Sequence, residues 1–137
     1  MLFQQWKNKL KKHLRRPFHA AYVAAIAGDG VGSGKFRHGA VIYHKNVLLS
    51  VGINSYKTHP KLIQQTEYPY LHAEQHALFR LGTDNTKGRT MYVIRIGRNG
   101  HILESRPCEV CQFFLKEAKL KNVYYSTYEG VQKLWDA

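Results

Sequence analysis

A chain of 137 residues, 44% hydrophobic and 12% aromatic, holds enough apolar material for one packed domain, which excludes a disordered polypeptide. No apolar run approaches the roughly 20 residues of a membrane helix, and two cysteines are too few for a disulfide scaffold. Twenty-one Lys and Arg against nine Asp and Glu give a net charge of +12, which attracts polyanions without naming one.

The basic start is followed by no long apolar stretch, so no secretory leader is expected, and the expected location is the cytoplasm, or the host cytoplasm for a phage-encoded protein. Leu2, Phe3, Trp6, Leu10 and Leu14 recur at helical steps, so residues 1–16 are predicted to form a basic amphipathic helix, with Lys7, Lys9, Lys11, Lys12, Arg15 and Arg16 on its other faces. Such a stripe is expected to dock on the core, with a nucleic-acid-facing helix as the alternative. Pro17 is predicted to open a second helix through Ala27. A glycine-rich loop follows (Gly28, Gly30, Gly32, Gly34). It is not a phosphate-binding loop, because Asp29 and Phe36 stand where that motif needs Gly and Ser or Thr.

Gly39–Tyr43 and Val47–Asn54 are predicted strands of a hairpin. Residues 55–70 are predicted to be a long irregular connection. A helix over Leu71–Leu81 is ended by Gly82. A strand over Thr90–Ile96, a turn at Asn99-Gly100 and a short extended piece at Ile102-Leu103 come next. The chain is then predicted to form a helix over Pro107–Leu120, a strand over Val123–Ser126, and a last short strand after the Glu129-Gly130 turn. Strands alternating with helices predict a single three-layer α/β/α domain around a mixed sheet of about five strands. The short link from Ser126 to Val131 predicts an antiparallel return.

Two pieces carry chemistry, His72-Ala73-Glu74 and Pro107-Cys108-Glu109-Val110-Cys111, and each falls where a helix should begin. Cys108 and Cys111, three apart, share one side of a helix. A helix start carries partial positive charge and favours the thiolate that a metal requires. Two helix starts aimed at one point would supply His72, Cys108 and Cys111, and three protein ligands leave the fourth position of a catalytic zinc open. A thioredoxin-like redox pair is disfavoured because the Cys-x-x-Cys comes late in the chain. A helical zinc-protease motif is disfavoured because Ala73, not Glu, follows His72. His76 is expected to pack or to support a ligand. A purely structural zinc site, which would make this a non-catalytic binding module, usually closes with a fourth Cys or His.

His-x-Glu followed by Pro-Cys-x-x-Cys resembles the signature of the zinc-dependent cytidine and deoxycytidylate deaminase superfamily. Gly39-Ala40-Val41-Ile42, Gly52-Ile53-Asn54 and Tyr92-Val93 resemble its first three strands, so the likeness runs over roughly residues 20–130 and leaves the basic N-terminal helix outside. The resemblance implies the cytidine deaminase-like fold over residues 17–137, Zn2+ as cofactor and hydrolytic conversion of cytosine to uracil. Glu74 would take a proton from water, pass it to N3 of the base, and help the amino group leave as ammonia. Asn54 would touch sugar or base, the Ala73 N–H the base carbonyl, and the carbonyl near Ser105 the amino group. Many members oligomerise, so a homo-oligomer is allowed.

The substrate is less determined. Arg106 and Val110 depart from the pattern of transfer-RNA adenosine deaminases, and no further Cys remains for an additional structural zinc. The charge and the aromatics near the motifs (Tyr68, Tyr70, Tyr125, Tyr128) lean toward cytosine in single-stranded nucleic acid, by counterion release and stacking. The alternative is a free pyrimidine nucleoside or nucleotide, with Lys57, His59, Lys61 and Arg106 around one phosphate.

Overall fold

The computed structural model describes residues 1–28, 36–55 and 72–135. In chain order these form α1 (Phe3–Asn8), α2 (Lys12–Ala27), β1 (Arg37–His44), β2 (Val47–Ile53), α3 (Ala73–Leu81), a single 3-10 turn (Thr83–Asn85), β3 (Thr90–Ile96), β4 (Ile102–Leu103), α4 (Glu109–Glu117), β5 (Asn122–Ser126) and β6 (Val131–Lys133).

Five strands run in the order β2-β1-β3-β5-β6, and the two-residue β4 pairs with β3. The β3–β5 pair is parallel, reached through the crossover that carries α4, and the other pairs are antiparallel, including the predicted return of β6 along β5. Alternation along each strand sorts the side chains between two cores. Val41, Tyr43, Ile94 and Ile96 face α1 and α2 in a cluster with Trp6, Leu10, Leu14 and Phe18. Ala40, Ile42, Met91, Val93, Val123 and Tyr125 face the other way, with Ala73, Ala77 and Leu78 of α3 and Leu115 of α4. This is the expected three-layer arrangement. At Gly39, α2 approaches so closely that an added Cβ would lie 2.1 Å from the Ala21 carbonyl oxygen, so glycine is required there.

The N-terminal segment differs from expectation in where it breaks. The predicted helix over residues 1–16 is interrupted at Lys9–Lys11, and Pro17 sits inside α2 rather than at its start. Pro17 is the sixth residue of α2, beyond the first turn whose N–H groups have no helical partner, so it removes the bond that would reach the His13 carbonyl, a local cost that packing of α2 on the sheet must offset. The break is held by tertiary contacts. Arg15 donates from Nε to the Leu10 carbonyl at 3.2 Å and from a terminal nitrogen to the Asn8 carbonyl at 3.3 Å, satisfying groups that the end of α1 leaves open. The buried Trp6 donates from Nε1 to the Thr127 carbonyl at 3.0 Å, Phe3 stacks on Tyr22 with centroids 3.8 Å apart, and the Ile102 N–H donates to the Met1 carbonyl at 2.8 Å. The stripe therefore docks on the sheet, although Leu2 stays half exposed. Among the described residues, no helix is long and apolar enough to cross a membrane.

Candidate active site

The two motifs meet at the starts of α3 and α4. His72 and Cys108 are the capping residues, one position before each helix, and not the helical residues predicted. α3 begins at Ala73, and α4 begins at Glu109 with Pro107 outside it. Cap positions are better suited to the task, because their extended backbone frees the side chain to point off the helix end. The His72 N–H is held by Gln75 Oε1 at 3.2 Å, and Gln112 Nε2 donates to the Pro107 carbonyl at 2.7 Å, so both caps are fixed from within their own helices.

α3 owes its position to β2. An added Cβ at Gly52 would lie 2.2 Å from the Ala73 oxygen and 2.5 Å from the Ala77 nitrogen. Ser50 Oγ donates to the Ala77 carbonyl at 2.8 Å, and the Ile53 N–H donates to His76 Nδ1 at 3.1 Å. His76 thus ties α3 to β2 and takes the packing role expected of it.

The donor atoms of His72, Cys108 and Cys111 all lie within 4.8 Å of one another, and His72 Nδ1 is 3.9 Å from Cys108 Sγ. Nitrogen and sulfur ligands of a tetrahedral zinc stand about 3.6 Å apart, so one imidazole and two sulfurs at this spacing fit the ion with little closure. Electrostatics supports the fit. The Cys108 thiol is pulled down to about 3, first by the hydrogen bond from Cys111 and then by His72, against the cost of burial. Cys111 is pushed up, first by giving that hydrogen bond to Cys108 and then by burial, so the pair keeps one proton that a metal would displace. His72 is raised, chiefly by its contact with Cys108. Glu74, one residue inside α3, is buried, and its carboxyl is raised first by desolvation, with His72 opposing.

These groups border a cavity of about 260 Å³. His72, Glu74 and Cys108 line it, as do Asn54, Ala73, Ser105 and Arg106, while Cys111 is buried behind them. Asn54 is largely committed to closing the end of the β1–β2 pair. Its Oδ1 accepts the His38 N–H and its Nδ2 donates to the Phe36 carbonyl, both at 2.9 Å. Ser105 is clamped between β3 and β5: its Oγ donates to the Val93 carbonyl at 2.9 Å and accepts the Ser126 N–H at 2.8 Å. Arg106 donates to the Tyr125 hydroxyl at 3.0 Å. Tyr128 is not brought to the cavity; it is 60% exposed in the bend between β5 and β6. Lys57 and His59 lie outside the described residues, as do Lys61, Tyr68, Tyr70 and most of the glycine-rich loop.

Three lining residues escaped the sequence reading: Phe36, His38 and Arg95. His38 and Arg95 are cross-strand partners on β1 and β3. A two-residue period puts His38 on the face of Ala40, and Arg95 on the face of Val93, so both belong to the α3–α4 side. A polar residue on the core side of a central strand was the available signal. His38 is lowered to about 4, first by burial and then by Arg95 and His72, and is neutral near pH 7.

A family model described as the cytidine and deoxycytidylate deaminase zinc-binding region matches residues 12–127. No curated protein matches the sequence. Among solved structures, the chain is similar to a cytidine deaminase from Mycobacterium leprae (21% identity, 90% of this chain and 95% of that one, TM-score 0.58). It is also similar to a dCMP deaminase from the cyanophage S-TIM5 (21% identity, 85% of each chain, TM-score 0.60) and to a cytidine deaminase from Burkholderia pseudomallei (20% identity, 84% and 89%, TM-score 0.55). At these identities the structures speak for the shared fold. The family match spans everything from the start of α2 to the end of β5, with both motifs inside it, and the chain belongs to the cytidine and deoxycytidylate deaminases, zinc-binding hydrolases of C–N bonds.

Proposed function

We propose that this protein deaminates the cytosine ring of a free nucleoside or nucleotide, with zinc held by His72, Cys108 and Cys111 and protons carried by Glu74. The observation that carries the reading is a buried carboxylate beside a three-donor metal cluster at the wall of a substrate-sized cavity. Zinc supplies Lewis acidity, which makes water a usable nucleophile near neutral pH. Glu74 takes the proton of the attacking water and delivers it to N3, so that C4 becomes electrophilic and accepts the oxygen. Glu74, again a carboxylate, then takes the second proton from the hydroxyl now on C4 and passes it to the amino group, so that the C–N bond breaks, ammonia leaves and the C4 carbonyl forms. Burial, by raising the affinity of Glu74 for a proton, suits a group that must hold one between these transfers.

The placement of charge supports a monomeric substrate over the single-stranded nucleic acid that net charge alone suggests. Lys7, Arg15, Arg16 and His19 gather around Tyr43. Tyr43 is on the α1–α2 face, five residues along β1 from His38, or about 17 Å at strand rise. That cluster and the cavity sit on opposite faces of the sheet and toward opposite ends of β1, so no continuous basic groove joins them among the described residues. Similar structures point the same way: the cyanophage dCMP deaminase is also seen with dCMP and dUMP. The polynucleotide reading keeps the net charge of +12 in its favour, while Tyr68 and Tyr70 lie outside the described residues.

The test is competition. Zinc-loaded protein is given an equimolar mixture of deoxycytidine, deoxycytidylate and cytosine-containing single-stranded DNA, and uracil formation is measured by mass spectrometry. Conversion confined to the monomers is the expected result, with little response to added salt. Conversion confined to the DNA, weakening steeply with salt, would replace this reading with the polynucleotide one.

A further inference from the structure

We propose that Arg95, helped by Arg106, is the anion anchor of the substrate cavity, so that the enzyme selects a cytosine nucleoside 5′-phosphate over the uncharged nucleoside. This deepens the proposed function and rests on it. The starting point is an anomaly in β3. Past Thr90 at its start, the strand carries apolar and aromatic side chains except at Arg95, which follows Met91 and Val93 on the side of α3 and α4. A guanidinium placed there loses much of its hydration and requires compensation. Among the described residues, its Nε is buried without an acceptor. The compensation present is partial: the guanidinium carbon lies 4.4 Å from the centre of the Phe36 ring.

That stacking has a geometric consequence. An aromatic ring takes the flat face of a guanidinium and leaves the in-plane N–H groups for a ligand with several acceptor oxygens. Arg106 brings a second guanidinium to the same cavity from the segment before α4. It is held by the Tyr125 hydroxyl, which donates in turn to Gln132 Oε1 at 3.0 Å. Both arginines thus have aromatic neighbours, and among the described residues no acid is paired with either. Among the described residues that line the cavity, the single carboxylate is Glu74, which the reaction already employs.

An uncharged nucleoside gives two guanidiniums nothing to neutralise. A phosphate monoester, with a charge of roughly −1.5 to −2 near pH 7 and three acceptor oxygens, supplies what Arg95 lacks. The oxygens accept from Arg95 on one side and from the free edge of Arg106 on the other, while the base reaches toward Glu74 and His72.

The experiment measures kcat/KM for deoxycytidylate and for deoxycytidine with zinc-loaded wild type, Arg95→Gln and Arg95→Lys. Wild type is expected to prefer the phosphorylated substrate by about 100-fold, mostly through KM, and Arg95→Gln should bring the ratio near 1. Arg95→Lys keeps the charge but not the stacked fork, and should fall between them. A wild-type ratio near 1, or a ratio unchanged in Arg95→Gln, would overturn the anchor and leave deamination of monomers standing. Absence of turnover on both substrates would instead defeat the proposed function. Calorimetric binding of deoxyuridylate against deoxyuridine then reads the anchor directly: preference for the phosphate that disappears in Arg95→Gln supports it, and equal binding overturns it.

Discussion

Gly52→Ala should damage catalysis from the far side of a helix. The atoms an added Cβ would meet are all backbone of α3: the Ala73 oxygen at 2.2 Å, the Ala77 nitrogen at 2.5 Å and the Ala77 Cα at 3.0 Å. No flexible side chain can swing aside, so α3 must move as a body by about 1 Å to restore tolerable contact. The hydrogen bonds of this seam, Ser50 Oγ to the Ala77 carbonyl at 2.8 Å, the Ile53 N–H to His76 at 3.1 Å and Arg80 to the Val51 carbonyl at 3.0 Å, would then stretch beyond useful length. Overpacking costs about 1–3 kcal/mol and each of the three weakened bonds about 1 kcal/mol, so destabilisation of about 4–6 kcal/mol is expected. That is a large part of a typical domain's stability, but the fold should survive at low temperature. His72 and Glu74 ride on the first turn of α3, and displacement by about 1 Å of groups that must meet water and ring together should lower kcat about 100-fold.

Urea unfolding, zinc content and kcat, measured on Gly52→Ala beside Gly130→Ala, separate the parts of this argument. At Gly130 an added Cβ meets nothing within 4 Å, and that variant should stay within about 0.5 kcal/mol of wild type. Gly52→Ala with unchanged unfolding midpoint would refute the packing argument. Lost stability with wild-type kcat would refute the claim that the β2–α3 seam places the catalytic residues.

Glu74→Gln should retain zinc, by metal analysis, and lose at least about 100-fold in kcat, because the amide cannot carry the proton. Substantial turnover by the zinc-loaded variant would sink the mechanism. Cys111→Ala should fail to hold zinc on dialysis and should unfold at lower temperature, and wild type stripped by a chelator should approach it and recover on zinc addition. Tyr92 supplies a pH signature outside the site. Its phenol is raised from 10.0 to about 12, first by burial and then by Tyr124 and Tyr43. The unfolded chain therefore ionises first, and the stabilisation present below pH 10 is lost as pH rises from 10 toward 12. Urea midpoints between pH 9 and 11.5 should fall more steeply for wild type than for Tyr92→Phe, and parallel curves would show that Tyr92 does not titrate as its burial demands.

Strands and motif spacing were legible because they are local. Short apolar, β-branched runs in Gly39–Tyr43 and Thr90–Ile96 placed β1 and β3, and the positions of His72, Cys108 and Cys111 at helix starts followed from spacing and Pro107. The break between α1 and α2 was not legible. Nothing in Lys7–Leu14 forbids a continuous helix, and the turn is imposed by partners as distant in sequence as Thr127 and His101. Pro17 misled for the complementary reason: a local signal for a helix start was overridden by packing of α2 on β1. Tyr128 follows the second motif helix in sequence, yet β5 carries it away from the cavity. His38 and Arg95 required the two-residue period to be applied to the polar ends of strands and not only to their apolar centres.

Net charge is a weak guide to substrate for a reason of range. The basic groups around Tyr43 lie about 17 Å along the strand from the cavity end of β1, beyond the ~8 Å over which salt screens exposed charges under physiological conditions. At such a distance they can speed the arrival of any polyanion, but they discriminate weakly between substrates inside the cavity. Discrimination falls to charges that share the low-dielectric space with the substrate, and among the described residues these are Arg95, Arg106 and Glu74. Sequence composition counts all 21 cations alike, whereas the fold places Arg95 and Arg106 on the wall of the cavity itself.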